Sequence, residues 1–221
     1  MKKALLLFFI IIAGTASAQT IKAKYTTTHL KTFVNSSHPD SLNAPPQTKA
    51  AKLKPSVYNY VYYDGKSLTT LISGEGYTKK TKIDSDSGNI ITDENKMPSE
   101  ELFYKDIPAK ILRMEVTSGT ENYSYKIDFK DFKWDITNET TTLLNYKCTK
   151  AIGTLGKYTV TAWFANDIKI SDGPTIFYSL PGLILKANMN GMYEIVANSI
   201  ELSKEKITIA EPAAKAQIQT F

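Results

Sequence analysis

The sequence predicts a mainly β protein: a single curved antiparallel sheet or partly open barrel with one or two short helices. Three observations carry this. Short runs rich in Val, Ile, Thr, Tyr and Phe recur with turn residues about every 8–12 positions. Apolar and polar residues alternate with period two through Ile111–Val116 and Asn122–Phe129. Convincing amphipathic periodicity is confined to the Gln47–Leu53 region and a short turn after Pro174.

The 221-residue chain opens with the pattern of a secretory leader: Lys2 and Lys3, an apolar run from Ala4 to Ala13, then Ala16-Ser17-Ala18. Cleavage after residue 18 would leave Gln19 at the N-terminus. No cysteine follows the apolar run, so a lipoprotein is not expected. The expected location is the periplasm or the cell-envelope exterior. No later stretch approaches the roughly 20 apolar residues of a membrane-spanning helix. The terminal Phe221 is shared with outer-membrane barrels, but Gln219 and Gln217 occupy alternate positions that should be apolar there.

Without Lys2 and Lys3 the formal charge of +5 falls to +3, and the basic residues are scattered. Nucleic acid is therefore not an expected partner. Cys148 is the lone cysteine, so no internal disulfide can form. The two histidines, His29 and His38, are too few to suggest a His-based metal site or catalytic dyad.

Residues 19–203 are expected to form one domain. Thr20–Val34 reads as a first strand. Residues 35–54, with Pro39, Pro45 and Pro46, read as a loop or insertion. Val57–Tyr63 and Ser67–Ile72 form a hairpin about Asp64-Gly65, with Tyr58, Tyr60 and Tyr62 on one face as ordinary packing or a ligand-contacting wall. Gly74–Pro98 is polar and turn-rich. Its Asp84–Asn89 run superficially resembles a calcium loop, but Asn95 stands where the closing Glu belongs.

Further strands are expected at Leu102–Tyr104, Ile111–Val116, Asn122–Phe129, Trp134–Ile136, Leu143–Ile152 and Tyr158–Phe164, with a turn at Asn138-Glu139-Thr140. Leu183–Met189 and Tyr193–Leu202 make a last hairpin about Asn190-Gly191. Residues 204–221 are expected to form a loosely held tail.

The most distinctive stretch is Asp172–Leu185. Pro174 pre-sets a first helical turn, Pro181 ends it, and Gly182 permits a closely packed entry into the next strand. This turn can cover an open end of the sheet. Trp134, Trp163, Phe164 and Phe177 either fill the core or line a cavity, with Leu180, Leu183 and Ile184 at its lid or floor.

Catalytic signals are weak. Cys148 reads as a buried structural thiol. Asp167 and Asp172 read as loop charges or caps rather than a glycosidase pair. Ser179 lies in no Gly-x-Ser-x-Gly elbow. No catalytic residue, metal or cofactor is assigned.

Ser179-Leu180-Pro181-Gly182-Leu183-Ile184, preceded by Gly173-Pro174, resembles the signature of the GLPGLI family of secreted Bacteroidota proteins. Trp134-Asp135-Ile136, Tyr146–Ala151 and Ala162-Trp163-Phe164 followed by Ile168 extend the resemblance over roughly Leu102 to Leu202. Ser179, Lys157 and Lys169 depart from the pattern. Ser179 replaces a glycine, so the backbone there need not be left-handed. The family has no known function and supplies no catalytic residue. Its strand pattern is similar to that of lipoprotein-carrier proteins, whose curved sheets enclose apolar ligands.

The leading expectation is a non-enzymatic envelope protein that binds an apolar, lipid-like ligand within its curved sheet. The alternative is an interaction module with a filled core, partnered by an envelope protein of an outer-membrane or secreted machine. A hydrolase ranks third.

Overall fold

The computed structural model describes residues 19–30, 55–73, 75–83, 90–118, 120–129 and 133–220. The leader, the 35–54 segment, His38, Phe221 and the calcium-like run Asp84–Asn89 lie outside them.

The strands are β1 Thr20–His29, β2 Ser56–Tyr63, β3 Lys66–Ser73, β4 Glu75–Ile83, β5 Ile90–Asp106, β6 Ile111–Ser118, β7 Glu121–Asp128, β8 Trp134–Leu143, β9 Tyr146–Leu155, β10 Tyr158–Ala165, β11 Leu183–Met189, β12 Tyr193–Ser203 and β13 Ile218–Thr220. They form one open sheet in the order β13-β7-β6-β5-β3-β2-β1-β12-β11-β10-β9-β8, with β4 paired to the first part of β5. Every pairing is antiparallel except β13 with β7. The expected β architecture is present. Of the expected short helices, the one after Pro174 is not formed, because that segment closes only a single turn, Phe177 N donating to Pro174 O at 3.1 Å, and the one at Gln47–Leu53 lies outside the described residues.

The tight hairpins follow from backbone chirality. Asp64 and Gly65 have φ of 49° and 79°, and Asn190 and Gly191 have 45° and 65°. Paired left-handed residues match the twist of the flanking strands. Leu144 and Asn145 do the same, at 48° and 65°, without a glycine.

One expectation is extended and one is corrected. The polar region after Gly74 forms a long hairpin, with Glu75–Ile83 opposite Ile90–Pro98. The turn expected at Asn138-Glu139-Thr140 lies inside β8 as an irregularity in its pairing with β9 between Ile136 and Thr140. There Glu139 N donates to Thr137 Oγ1 at 3.2 Å, so local side-chain bonding distorts the strand without ending it.

The sheet curls about one inner face. In β1, Ile21, Ala23, Tyr25 and Thr27 are buried, while Lys22 and Lys24 between them are exposed. Register carries this face across Tyr58, Tyr60 and Tyr62, then Ser67, Thr69 and Leu71, then Phe103 and Lys105. In the other direction it continues through Ile195 and Ala187 to Ala162 and Ala151.

The segment after β12 crosses the outer face of β6 and β7. Arg113 Nη1 donates to Glu211 Oε1 and Pro212 O, both at 2.9 Å, and its Nη2 pairs with Glu115. Lys215 N donates to Glu115 Oε2 at 3.1 Å, and Ala216 N to Ser124 Oγ at 3.0 Å. Ile209 is buried, and β13 then joins the edge of β7.

Candidate functional site

The concave face has two unlike halves. One is sealed by residues 166–182, which link β10 to β11 without regular structure. Ile168, Phe177, Leu180, Leu183, Ile184 and Leu185 are at most 1% exposed there. Burial of each such side chain favours the folded state by about 1.5–3 kcal/mol.

The plug is held by its backbone. Leu183 N donates to Ile168 O at 3.1 Å, Ile184 N to Asp172 O at 3.0 Å, and Ser179 N to Ser171 O at 3.2 Å. Ser179 has φ of +70°, so the left-handed conformation expected to be dispensable at this serine is present. Thr175 is left-handed too, at +52°, with its N–H donating to Thr69 Oγ1 at 3.1 Å. A Cβ on Gly182 would collide with the Ala165 carbonyl, and one on Gly173 would lie 2.7 Å from Ile184 Cβ.

A buried polar lock fastens this plug to the sheet. Lys105 Nζ pairs with Asp172 Oδ1 and donates to Gly173 O at 2.6 Å and Phe177 O at 2.9 Å. Tyr60 donates to Asp172 Oδ2 at 2.9 Å, and Tyr25 to Ile184 O at 2.9 Å. Lys105 and Asp172 are fully buried. Burial lowers the Lys105 pKa, opposed by the Asp172 carboxylate. The Tyr25 and Tyr60 phenols are raised by burial first and by Asp172 next. These groups are structural, since each is spent on another protein atom.

The other half of the same face is not sealed by the plug. Leu71, Met114 and Tyr193 are partly buried against the edge of the core. Glu101 points the same way as Phe103 and Lys105, by strand alternation, and is only half-buried. Tyr58 donates to Glu101 Oε2 at 2.8 Å. Burial raises the Tyr58 and Tyr193 phenols, and the Glu101 charge raises both further. Val116 stands opposite Glu101, and Tyr125 opposite Met114. Tyrosine faces and apolar side chains around one carboxylate suit a ligand with both C–H and O–H surfaces.

The sequence-predicted ligand-binding residues are distributed otherwise. Phe164, Phe177, Leu180, Leu183 and Ile184 sit in the sealed half, fully packed. Trp134 and Trp163 are partly buried against it, Trp134 Nε1 donating to Tyr178 O at 3.0 Å. Gly173, Pro174 and Gly182 are buried within the plug, and Pro181 is exposed at its end. Cys148 is fully buried, its thiol pushed up to about 11 by burial, partly offset by a backbone hydrogen bond at Leu143. Glu101 was not singled out from sequence. The available signal was its phase with Phe103 and Tyr58, which places a carboxylate on an apolar face. Among the described residues no group of three His, Cys, Asp or Glu is placed to hold a metal ion.

A separate groove of about 450 Å³ lies on the outer surface across β2, β1 and β12, lined by Lys22, Lys24, Asn59, Ser199 and Glu201 together with apolar Val61 and Ile200. It accompanies the bulge between Lys24 and Tyr25. Its polar side chains are exposed, and Lys22 is paired with Glu205 at 3.1 Å. The concave half, where Tyr58 donates to the Glu101 carboxylate beside Tyr193, is the better candidate.

Two solved structures share the fold. PNGF-II in a C2 space group gives a TM-score of 0.51 at 15% identity, and PNGF-II in a P21 space group 0.51 at 16%. Each alignment covers 92% of this chain but 31% of that chain, so the protein spans about a third of the neighbour's length. No curated protein matches. The expectation of a non-enzymatic protein is corrected by the family found, whose model is named for a domain of an N-glycanase. Residues 63–220 match the family model described as N-glycanase peptide, N-terminal domain, and the chain belongs to that family, not to the GLPGLI proteins its Ser179–Ile184 stretch resembles.

Proposed function

We propose that this protein serves the hydrolytic release of N-linked glycans, as the N-terminal domain of a glycosidase-type enzyme, and that the glycan-bearing substrate meets the open half of its concave face. The family match over residues 63–220 carries this reading. The open half supports it, because aromatic rings and a carboxylate on a concave surface are the groups that hold a sugar ring by its C–H face and its hydroxyls. The leader pattern in residues 1–18 supports action in the periplasm or outside the cell, where exported or foreign glycoproteins are met.

The test is incubation of the protein with an N-glycosylated peptide and with the same peptide lacking its glycan. Binding is followed by calorimetry and glycan release by mass spectrometry. The reading predicts glycan-dependent binding and loss of the glycan mass above the protein-free rate. Equal affinity for both peptides together with no release would overturn it.

A further inference from the structure

We propose that Glu101, flanked by Tyr58 and Tyr193, is a saccharide-binding subsite for a neutral sugar ring of the N-linked glycan. The inference rests on the functional reading above and names the residues that would carry it.

The placement of Glu101 is the first argument. Glu101 is in phase with Phe103 and Lys105, two and four positions on, which register places on the inner face and which are both buried. Lys105 has a dedicated partner there, the Asp172 carboxylate. Among the described residues no cation pairs with Glu101, and its hydrogen bond comes from a neutral phenol, Tyr58. Among the described residues its second oxygen, Oε1, accepts no hydrogen bond. Half-buried Glu101 is open to water in the unbound protein, and a ligand that displaces this water must donate to the carboxylate in its place. A sugar supplies that as a pair of vicinal hydroxyls, both donors, with no charge to bury.

The surroundings are the second argument. Tyr58 is 7% exposed, so its hydroxyl is held in place and fixes the carboxylate plane. Tyr193 is close enough for its phenol to feel the Glu101 charge, yet its ring is only partly covered. Leu71, Met114 and Val116 complete an apolar floor of modest size. A ring that stacks on Tyr193 and donates to Glu101 Oε1 uses every one of these groups. An anionic ligand would be repelled by Glu101, and a purely apolar one would strand its charge.

Glu101 and Tyr193 would contact the sugar, while Tyr58 is a positioning residue. The probe is a tripeptide bearing a core glycan of N-acetylglucosamine and mannose, compared with the bare tripeptide. Glu101→Gln and, separately, Tyr193→Leu are each expected to weaken binding of the glycosylated probe by about tenfold or more and to leave the bare peptide unaffected. Tyr58→Phe should weaken it less, with restoration of neither partner by pH. Lys24→Ala, in the outer groove, should bind as the unaltered protein does. Folding is checked by NMR, which also reads the unaltered protein directly: glycan-induced shifts should centre on Glu101 and Tyr193. Glycan-dependent binding that survives in both Glu101→Gln and Tyr193→Leu, or shifts that centre on Lys22, Lys24 and Ser199, would overturn the subsite alone. Failure of the unaltered protein to distinguish the two probes would overturn the functional reading with it.

Discussion

The two halves of the concave face use the same residue types to opposite ends. In the sealed half, the charged pair Lys105 and Asp172 is fully buried and its donors and acceptors are tied to Tyr60 and to the plug backbone. In the open half, a tyrosine again donates to a carboxylate, Tyr58 to Glu101, but no cation among the described residues completes the set, and the neighbouring Tyr193 and Leu71 are only partly covered. The comparison teaches that a tyrosine–carboxylate bond is not itself a sign of function. What differs is whether the remaining acceptor is consumed within the protein.

Substitutions sharpen that contrast. The largest effect is expected for Lys105→Met, which leaves the Asp172 carboxylate buried and uncompensated and should destabilise the fold by about 3–5 kcal/mol in denaturant unfolding. Adding Asp172→Asn should recover part of that loss, since the double variant buries no unpaired charge. Were the single and double variants equally unstable, the pair would not be acting as a unit.

Gly182→Ala is expected to cost about 3 kcal/mol, because the new methyl must displace the Ala165 carbonyl and not merely a side chain. An unchanged melting temperature would show that the plug is looser than its packing implies.

Cys148 supplies a pH signature of the sealed half. Its folded pKa is raised, from the ordinary 9.0 to about 11. Stabilisation from the protonated thiol is therefore complete below pH 9 and is lost as pH rises to about 11, because the unfolded chain sheds the proton first. The loss should be roughly 2 kcal/mol and absent in Cys148→Ala. A native thiol that reacts freely with a disulfide reagent at pH 8 would contradict this burial.

The smallest effect on stability belongs to the open half. Tyr58→Phe should cost only about 1 kcal/mol, the usual net value of one hydrogen bond, because the freed Glu101 can still reach water. A loss as large as that of Lys105→Met would erase the distinction between the halves.

Much of the fold was legible. Alternation placed Tyr58, Tyr60 and Tyr62 on one face, and Asp64-Gly65 and Asn190-Gly191 declared their turns, because period-two burial and left-handed backbone leave direct marks on sequence. The Leu144-Asn145 turn left no such mark, since leucine rarely adopts that conformation unaided. Lys105 was unreadable as a buried residue because its partner, Asp172, lies 67 positions away and only the curl brings them together. The Pro174–Pro181 stretch was read rightly as a cover for the sheet, with Leu180 and Leu183 inside. It misled on family because its glycines and prolines report close backbone packing against Ala165 and Ile184, a local demand that unrelated proteins can share. The open half was half legible: the tyrosine stripe was visible, but the carboxylate that gives it chemistry comes from β5, two strands over.

Hydrogen–deuterium exchange of the unaltered protein, with and without the glycosylated tripeptide, tests the division of the concave face most directly. The account predicts added protection in β2 near Tyr58, β5 near Glu101 and β12 near Tyr193, with the plug from Asp172 to Ile184 unchanged. Protection confined to the plug, or to the outer groove about Lys24 and Ser199, would contradict it.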